Sequence, residues 1–117
     1  DAYNNDLPYW TEVAGHSHLV VPYTMVTNDA KFLSGDTFSG RDFGEFLIDS
    51  FDVLHAEAKS KPRMMSVGLH SRIIGHPGRL AGLIRFMDHL AKHDDVWICR
   101  RNEIAQHWRE VQPPARA

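Results

Sequence analysis

Apolar and polar positions alternate with two different rhythms along this chain. Phe43, Phe46, Leu47, Phe51 and Leu54 fall at i, i+3, i+4, i+8 and i+11, which is one face of an α-helix. Asp42 with Glu45 three residues on has the spacing of a capping box, and Ser60-Lys61-Pro62 breaks the pattern. A helix is therefore expected from Asp42 to about Ala58. Leu80, Leu83, Ile84, Met87, Leu90 and Ala91 mark a second helical stripe, with Pro77 suited to its first turn. Asn102 is placed to cap a third helix with Ile104, Ala105, Trp108 and Val111 inward, and Pro113-Pro114 stops it. Between the helices lie short runs that are continuously apolar: His18 to Val26, Arg63 to Leu69, and Val96 to Cys99. Such runs suit strands of a parallel sheet covered by helices on its faces. Pro22 puts the first of them at an edge, a bulge or a strand end. Residues 1–17 and 27–41 carry turn chemistry and read as loops.

The order is thus β-α-β-α-β-α, and the expected class is α/β with parallel strands flanked by helices. Three strands can neither close a barrel nor hide both edges of a sheet. The first and last strands are expected to bury against more protein, so residues 1–117 read as one portion of a larger domain. The chain opens at Asp1 with no initiator Met, signal peptide or polar tail, and its true start is expected upstream.

The second strand carries the chemistry. Met64-Met65-Ser66-Val67-Gly68-Leu69 ends abruptly in His70, and Gly75-His76-Pro77-Gly78-Arg79 follows. A parallel strand delivers a polar side chain in this way to the carboxyl-terminal rim of an α/β fold, where catalytic groups sit. Histidine is the side chain best matched to proton transfer near neutral pH. The alternative is a rim histidine bonded to backbone. Arg72, two residues on, is expected on the same strand face. It could hold a carbonyl or carboxylate of a polar substrate, or be solvated or in an ion pair. Asn28 and Asp29, just past the first strand, could bind N–H and C=O groups or simply form a turn. Tyr9 and Trp10 could wall a pocket, or be plain core aromatics. Arg79 reads as structural.

Composition narrows the partners. A net charge of −2 gives no electrostatic case for nucleic acid or an anionic membrane. No apolar run approaches the roughly 20 residues that span a bilayer. Cys99 is the single cysteine, which excludes an internal disulfide and suits a reducing, cytoplasmic setting. Its place on a strand reads as a packed thiol. Eight histidines raise the question of a metal. His16 and His18 are spaced i, i+2. His89 and His93 are spaced i, i+4 and could chelate, but no carboxylate or cysteine completes either set at motif spacing. They read as surface residues, and no metal ligand is assigned. Arg100, Arg101 and Glu103 read as a solvated rim.

Several segments recur together in one family: Leu7-Pro8-Tyr9-Trp10, Val21-Pro22-Tyr23-Thr24 with Asn28-Asp29, Phe51-Asp52-Val53-Leu54, Ser66-Val67-Gly68-Leu69-His70, Gly75-His76-Pro77-Gly78-Arg79, and Val96-Trp97-Ile98-Cys99-Arg100-Arg101. The chain resembles the carboxyl-terminal part of the polysaccharide deacetylase (NodB homology) superfamily, and within it the branch of metal-independent allantoinases of urate catabolism. The resemblance implies a distorted (β/α) barrel at least twice this length. The family's amino-terminal motifs, which supply the catalytic base and the metal ligands of zinc-dependent members, are absent from these residues. It implies that His70 is the general acid of amide hydrolysis. It implies that the Leu7 to Trp10 segment faces substrate; the arginine common there in the deacetylases is missing. The expectation is an amidohydrolase that opens a cyclic ureide, allantoin to allantoate. It would need no cofactor in this chain. It would be homo-oligomeric, with a second polypeptide supplying the amino-terminal half of the barrel. The alternatives are a zinc-dependent N-deacetylase of chitin-like or peptidoglycan sugars, and a binding module without catalysis.

Overall fold

A computed structural model describes residues 3–34 and 39–115. The described residues form two compact units, residues 1–23 with 97–117, and residues 24–96.

The first unit holds a hairpin that the sequence pattern does not announce. Strands β1 (Tyr9–Val13) and β2 (His16–Val20) pair antiparallel, with Tyr9 opposite Val20 and Val13 opposite His16. The turn between them is Ala14-Gly15, both at positive φ (52° and 77°), the backbone of a two-residue primed turn. Residues 1–17 were expected to be loop, and the first strand was expected at 18–26. The strand lies earlier because the pairing is antiparallel and mostly exposed, so burial leaves no run of apolar residues to mark it. Residues 21–26, which contain Pro22, carry no strand. The final helix of the chain, α4 (Arg101–Val111), belongs to this unit. It begins one residue before the expected Asn102 cap. Glu103 accepts the backbone N–H of Arg100 at 2.7 Å and closes the first turn. Arg101 is not simply solvated: its guanidinium donates to the Val21 carbonyl and lies over the Tyr23 ring. Burial, and the Glu103 carboxylate nearby, push the Cys99 thiol up, as a packed, unreactive thiol requires.

The second unit is built on a helix pair. Helix α1 (Gly40–Ala58) starts earlier than the Asp42 cap expected from sequence. Ser39 is the cap. Its hydroxyl accepts from the Asp42 N–H, and the Asp42 carboxylate accepts from the Ser39 N–H, each at 3.1 Å. Hydrogen bonding from Ser39, its hydroxyl first and its backbone N–H second, holds the Asp42 carboxyl below its usual range. After α1 come a four-residue helix, α2 (Ser71–Ile74), and α3 (Pro77–Leu90), which opens on Pro77 as expected. Phe43, Leu47 and Phe51 of α1 bury with Ile74, Phe86 and Leu90. Fully burying a side chain of this size is worth about 1.5–3 kcal/mol. The α1 stripe is the expected one. The α3 stripe is turned: Gly82, Phe86 and Leu90 face α1, while Leu80, Ile84 and Met87 are exposed.

Glycines cause that rotation. Gly40 and Gly44 on α1 meet Gly78 and Gly82 on α3, one glycine per helical turn, and the backbones touch there. A Cβ on Gly44 would sit 2.6 Å from the Gly82 carbonyl oxygen and 3.0 Å from its Cα. Backbone cannot step aside as a flexible side chain can. Gly44→Ala is expected to destabilise the protein by about 1–3 kcal/mol, visible as a lower urea midpoint. An unchanged midpoint would show that the helices separate freely.

The segments expected as the second and third strands, 63–69 and 96–99, form no ladder among the described residues. A strand is defined by a partner's hydrogen bonds, and only one bridge is present. It is parallel, as expected, and joins Asn28 to Gly68. No helix of the described residues is long and apolar enough to cross a membrane.

Candidate active site

The single parallel bridge is what assembles the site. The Gly68 N–H donates to the Thr27 carbonyl and the Asp29 N–H donates to the Gly68 carbonyl, both at 2.9 Å. The Thr27 hydroxyl adds a bond to the Ser66 carbonyl at 2.5 Å. Two chain segments some 40 positions apart are thereby laid side by side in register. One residue beyond the bridge on the first segment stands Asp29, and two residues beyond it on the second stands His70.

These two residues face each other. Asp29 Oδ1 lies 2.6 Å from His70 Nδ1, and the His70 backbone N–H donates to Asp29 Oδ2 at 2.7 Å. Both carboxylate oxygens are therefore committed to one residue. Asp29 is fully buried, whereas the His70 side chain keeps about a third of its surface, 37%, open. An ionised Asp29 carboxylate only accepts hydrogen bonds, so in that state the proton of the pair lies on Nδ1. That leaves Nε2 as the nitrogen that can exchange a proton with something outside. A ring held at Nδ1 by a buried carboxylate, with Nε2 free, is the arrangement that acid–base histidines use.

Local structure keeps the pair rigid. Asn28 caps a short 3-10 helix (Asp29–Leu33): its side-chain oxygen accepts from the Ala30 N–H at 2.9 Å. Its amide nitrogen donates to the Thr24 carbonyl at 3.2 Å. On the other segment, the His70 carbonyl accepts from the N–H groups of Ile73 and Ile74 and starts α2. His70 is thus clamped on one side by Asp29 and on the other by a helical turn whose Ile73 and Ile74 are buried.

Three of the expected site residues change character. Asn28 is completely buried and its side chain serves the turn, so it does not offer its amide to a ligand. Asp29 is turned to His70 rather than outward. Arg72 does not continue a strand face, because Ser71–Ile74 is helical and successive side chains there rotate about 100° rather than alternate. It is exposed, with no hydrogen bond or ion pair among the described residues. Arg79 is structural as read: it donates to the Ile73 carbonyl and lies over the Phe32 ring. Tyr9 and Trp10 stand on β1 in the first unit. The Tyr9 hydroxyl donates to Asn4, and the Trp10 indole N–H donates to the Gln112 carbonyl at 2.7 Å. The sequence pairs Asp29 with no residue at any motif spacing. The only signal that could have found the pair was its place just past one apolar run, matched by His70 at the end of another.

A metal does not fit this pair on its own. His70 and Asp29 belong to neither of the two groups of three ligand side chains found among the described residues. Any ion acting here would need ligands outside those residues.

No protein-family model matches the chain. It is 39% identical over 124 residues to a curated Schizosaccharomyces pombe protein named "Putative polysaccharide deacetylase", across 97% of this chain and 39% of that protein. Among solved structures it is 48% identical to Puue allantoinase, with a TM-score of 0.94, over 98% of this chain and 39% of that one. A "probable Polysaccharide deacetylase" from Pseudomonas aeruginosa PAO1 gives 46% identity and a TM-score of 0.93 over the same shares. The chain thus spans about two fifths of the length of each relative.

Proposed function

We propose, on the premise that this chain belongs to the polysaccharide deacetylase (NodB homology) superfamily, that it supplies the acid side of a site that hydrolyses a carbon–nitrogen amide bond. The observation that carries the reading is the buried Asp29 carboxylate on His70 Nδ1, with Nε2 left open. When an amide opens, water adds to the carbonyl carbon and the C–N bond breaks. The departing nitrogen is a poor leaving group until it gains a proton. His70 Nε2 supplies that proton, and Asp29 holds the ring in the orientation and tautomer the transfer needs. The base that activates water comes from the part of the relatives' length that this chain does not span.

The substrate we propose is a cyclic ureide, allantoin opening to allantoate without metal. A solved allantoinase of almost half-identical sequence supports this, as does the Leu7-Pro8-Tyr9-Trp10 segment without arginine. Tyr9, Trp10 and Arg72 are the residues proposed to touch substrate. The second reading is zinc-dependent removal of an acetyl group from a sugar amine, and the names of the other two relatives favour it. Zinc would there polarise the carbonyl and activate water, with its ligands outside the described residues. One assay separates the two. The full-length protein, offered allantoin and N-acetylglucosamine oligomers in parallel, is expected to release allantoate and no acetate. Acetate release with intact allantoin would replace the first reading by the second.

A further inference from the structure

Two of the histidines read from sequence as surface residues, His89 and His93, are gathered with His55 at one end of the helix pair. His55 on α1, His89 on α3 and His93 just after α3 pack around the Phe51 ring, at centroid distances of 5.4, 5.8 and 5.0 Å. The His93 ring lies 4.7 Å from His55 and 5.3 Å from His89. Each outer histidine meets a carboxylate from the opposite segment. His89 Nε2 is 2.7 Å from Asp52 on α1, and His55 Nε2 is 3.0 Å from both oxygens of Asp95. The carboxylates missing at motif spacing are therefore supplied across the helix pair.

Two overlapping sets result, Asp52 with His89 and His93, and His55 with His93 and Asp95. In each, one donor atom per residue lies within 4.8 Å of the others. Tetrahedral zinc, with bonds of about 2.0–2.1 Å, needs donor atoms about 3.3 Å apart, so small side-chain rotations close either set on an ion. The Phe51 ring packs against the three imidazoles and fixes their mutual placement. Imidazole with carboxylate selects zinc, cobalt, nickel or copper over magnesium or calcium. Nothing in the proposed hydrolysis uses these side chains. We propose that this cluster binds one divalent transition-metal ion, with His93 as the shared ligand, and that the ion braces α1 against the turn after α3.

The test titrates Co²⁺ into chelator-stripped full-length protein. The wild type is expected to bind one equivalent more than His93→Gln, with visible absorption bands lost in the variant. His18→Gln, on β2, keeps the equivalent. Zn²⁺ is expected to raise the melting temperature of the wild type by more than that of His93→Gln, while both hydrolyse substrate equally. Should His93→Gln fail to fold, the double variant His55→Gln with His89→Gln breaks both sets and is read in the same way. Equal stoichiometry in the wild type and the variant overturns the proposal. Because ions are counted by difference, an ion at the hydrolytic site does not confuse the result.

Discussion

His70→Ala in the full-length protein is expected to slow amide hydrolysis by about 10²–10⁴-fold and to lower stability by about 1–3 kcal/mol, because the buried Asp29 Oδ1 loses its imidazole partner. That loss of rate is what a positioned general acid contributes, and it corresponds to about 2.7–5.5 kcal/mol of barrier. The loss should fall on kcat more than on KM, because the proton moves in the transition state and not on binding. His70 is partly exposed, so truncating its ring opens no closed cavity, and the stability loss comes from Asp29 alone. A stopped assay for product, beside a thermal melt, checks both halves of the expectation. Near wild-type turnover would remove His70 from the mechanism.

Asp29→Asn is the second large effect, and it probes geometry rather than presence. Asparagine keeps the size of the side chain and can still accept the His70 backbone N–H. Its amide nitrogen, however, would face Nδ1, where the carboxylate oxygen stands at 2.6 Å. Two N–H groups cannot share that line, so the ring must turn or give up the Nδ1 proton. The first outcome misplaces Nε2, and the second denies the doubly protonated ring that an acid needs. The rate is expected to fall at least about tenfold, toward the about 10⁴-fold that the same change costs in Ser-His-Asp triads. The site is also deeply buried, and a mismatched polar group there costs about 1–3 kcal/mol of stability. The pH–rate profile distinguishes positioning from mere destabilisation: in the variant its acid-catalysis limb should move, whereas a folding defect lowers the whole curve.

The sequence was most legible where one element answers to one periodicity. The α1 stripe of Phe43, Leu47 and Phe51 and the Pro77 start of α3 were readable because helix burial repeats every 3.6 residues within a single segment. The α/β class was readable from continuous apolar runs between helices, although the one parallel bridge begins at Asn28, outside the expected strand, and the pairing within residues 18–20 is antiparallel. The β1–β2 hairpin was not, because an exposed antiparallel pair closed by Ala14-Gly15 carries neither alternation nor an Asn-Gly turn. The rotation of α3 was hidden because it depends on glycines of two helices meeting, a fact about pairs and not about either stripe.

The candidate site divides in the same way. His70 stood out through its place at the end of an apolar run. Asp29 was visible as a substrate ligand or a turn residue but not as the partner of His70, since that role appears when the Thr27–Asp29 segment is laid beside Ser66–His70. Long-range register is not written in local spacing. Asn28, which reads equally well as a ligand or a turn residue, proves to be the cap that fixes the Asp29 backbone.

The central claim is that Asp29 and His70 act as one unit, and a double-mutant cycle on kcat tests it most directly. The rates of His70→Ala, Asp29→Asn and the double variant are compared with the wild type in the full-length protein. If Asp29 works only through His70, adding Asp29→Asn to His70→Ala costs nothing further, and the double variant matches His70→Ala. If the two losses multiply, the residues act independently and the account of this site is contradicted.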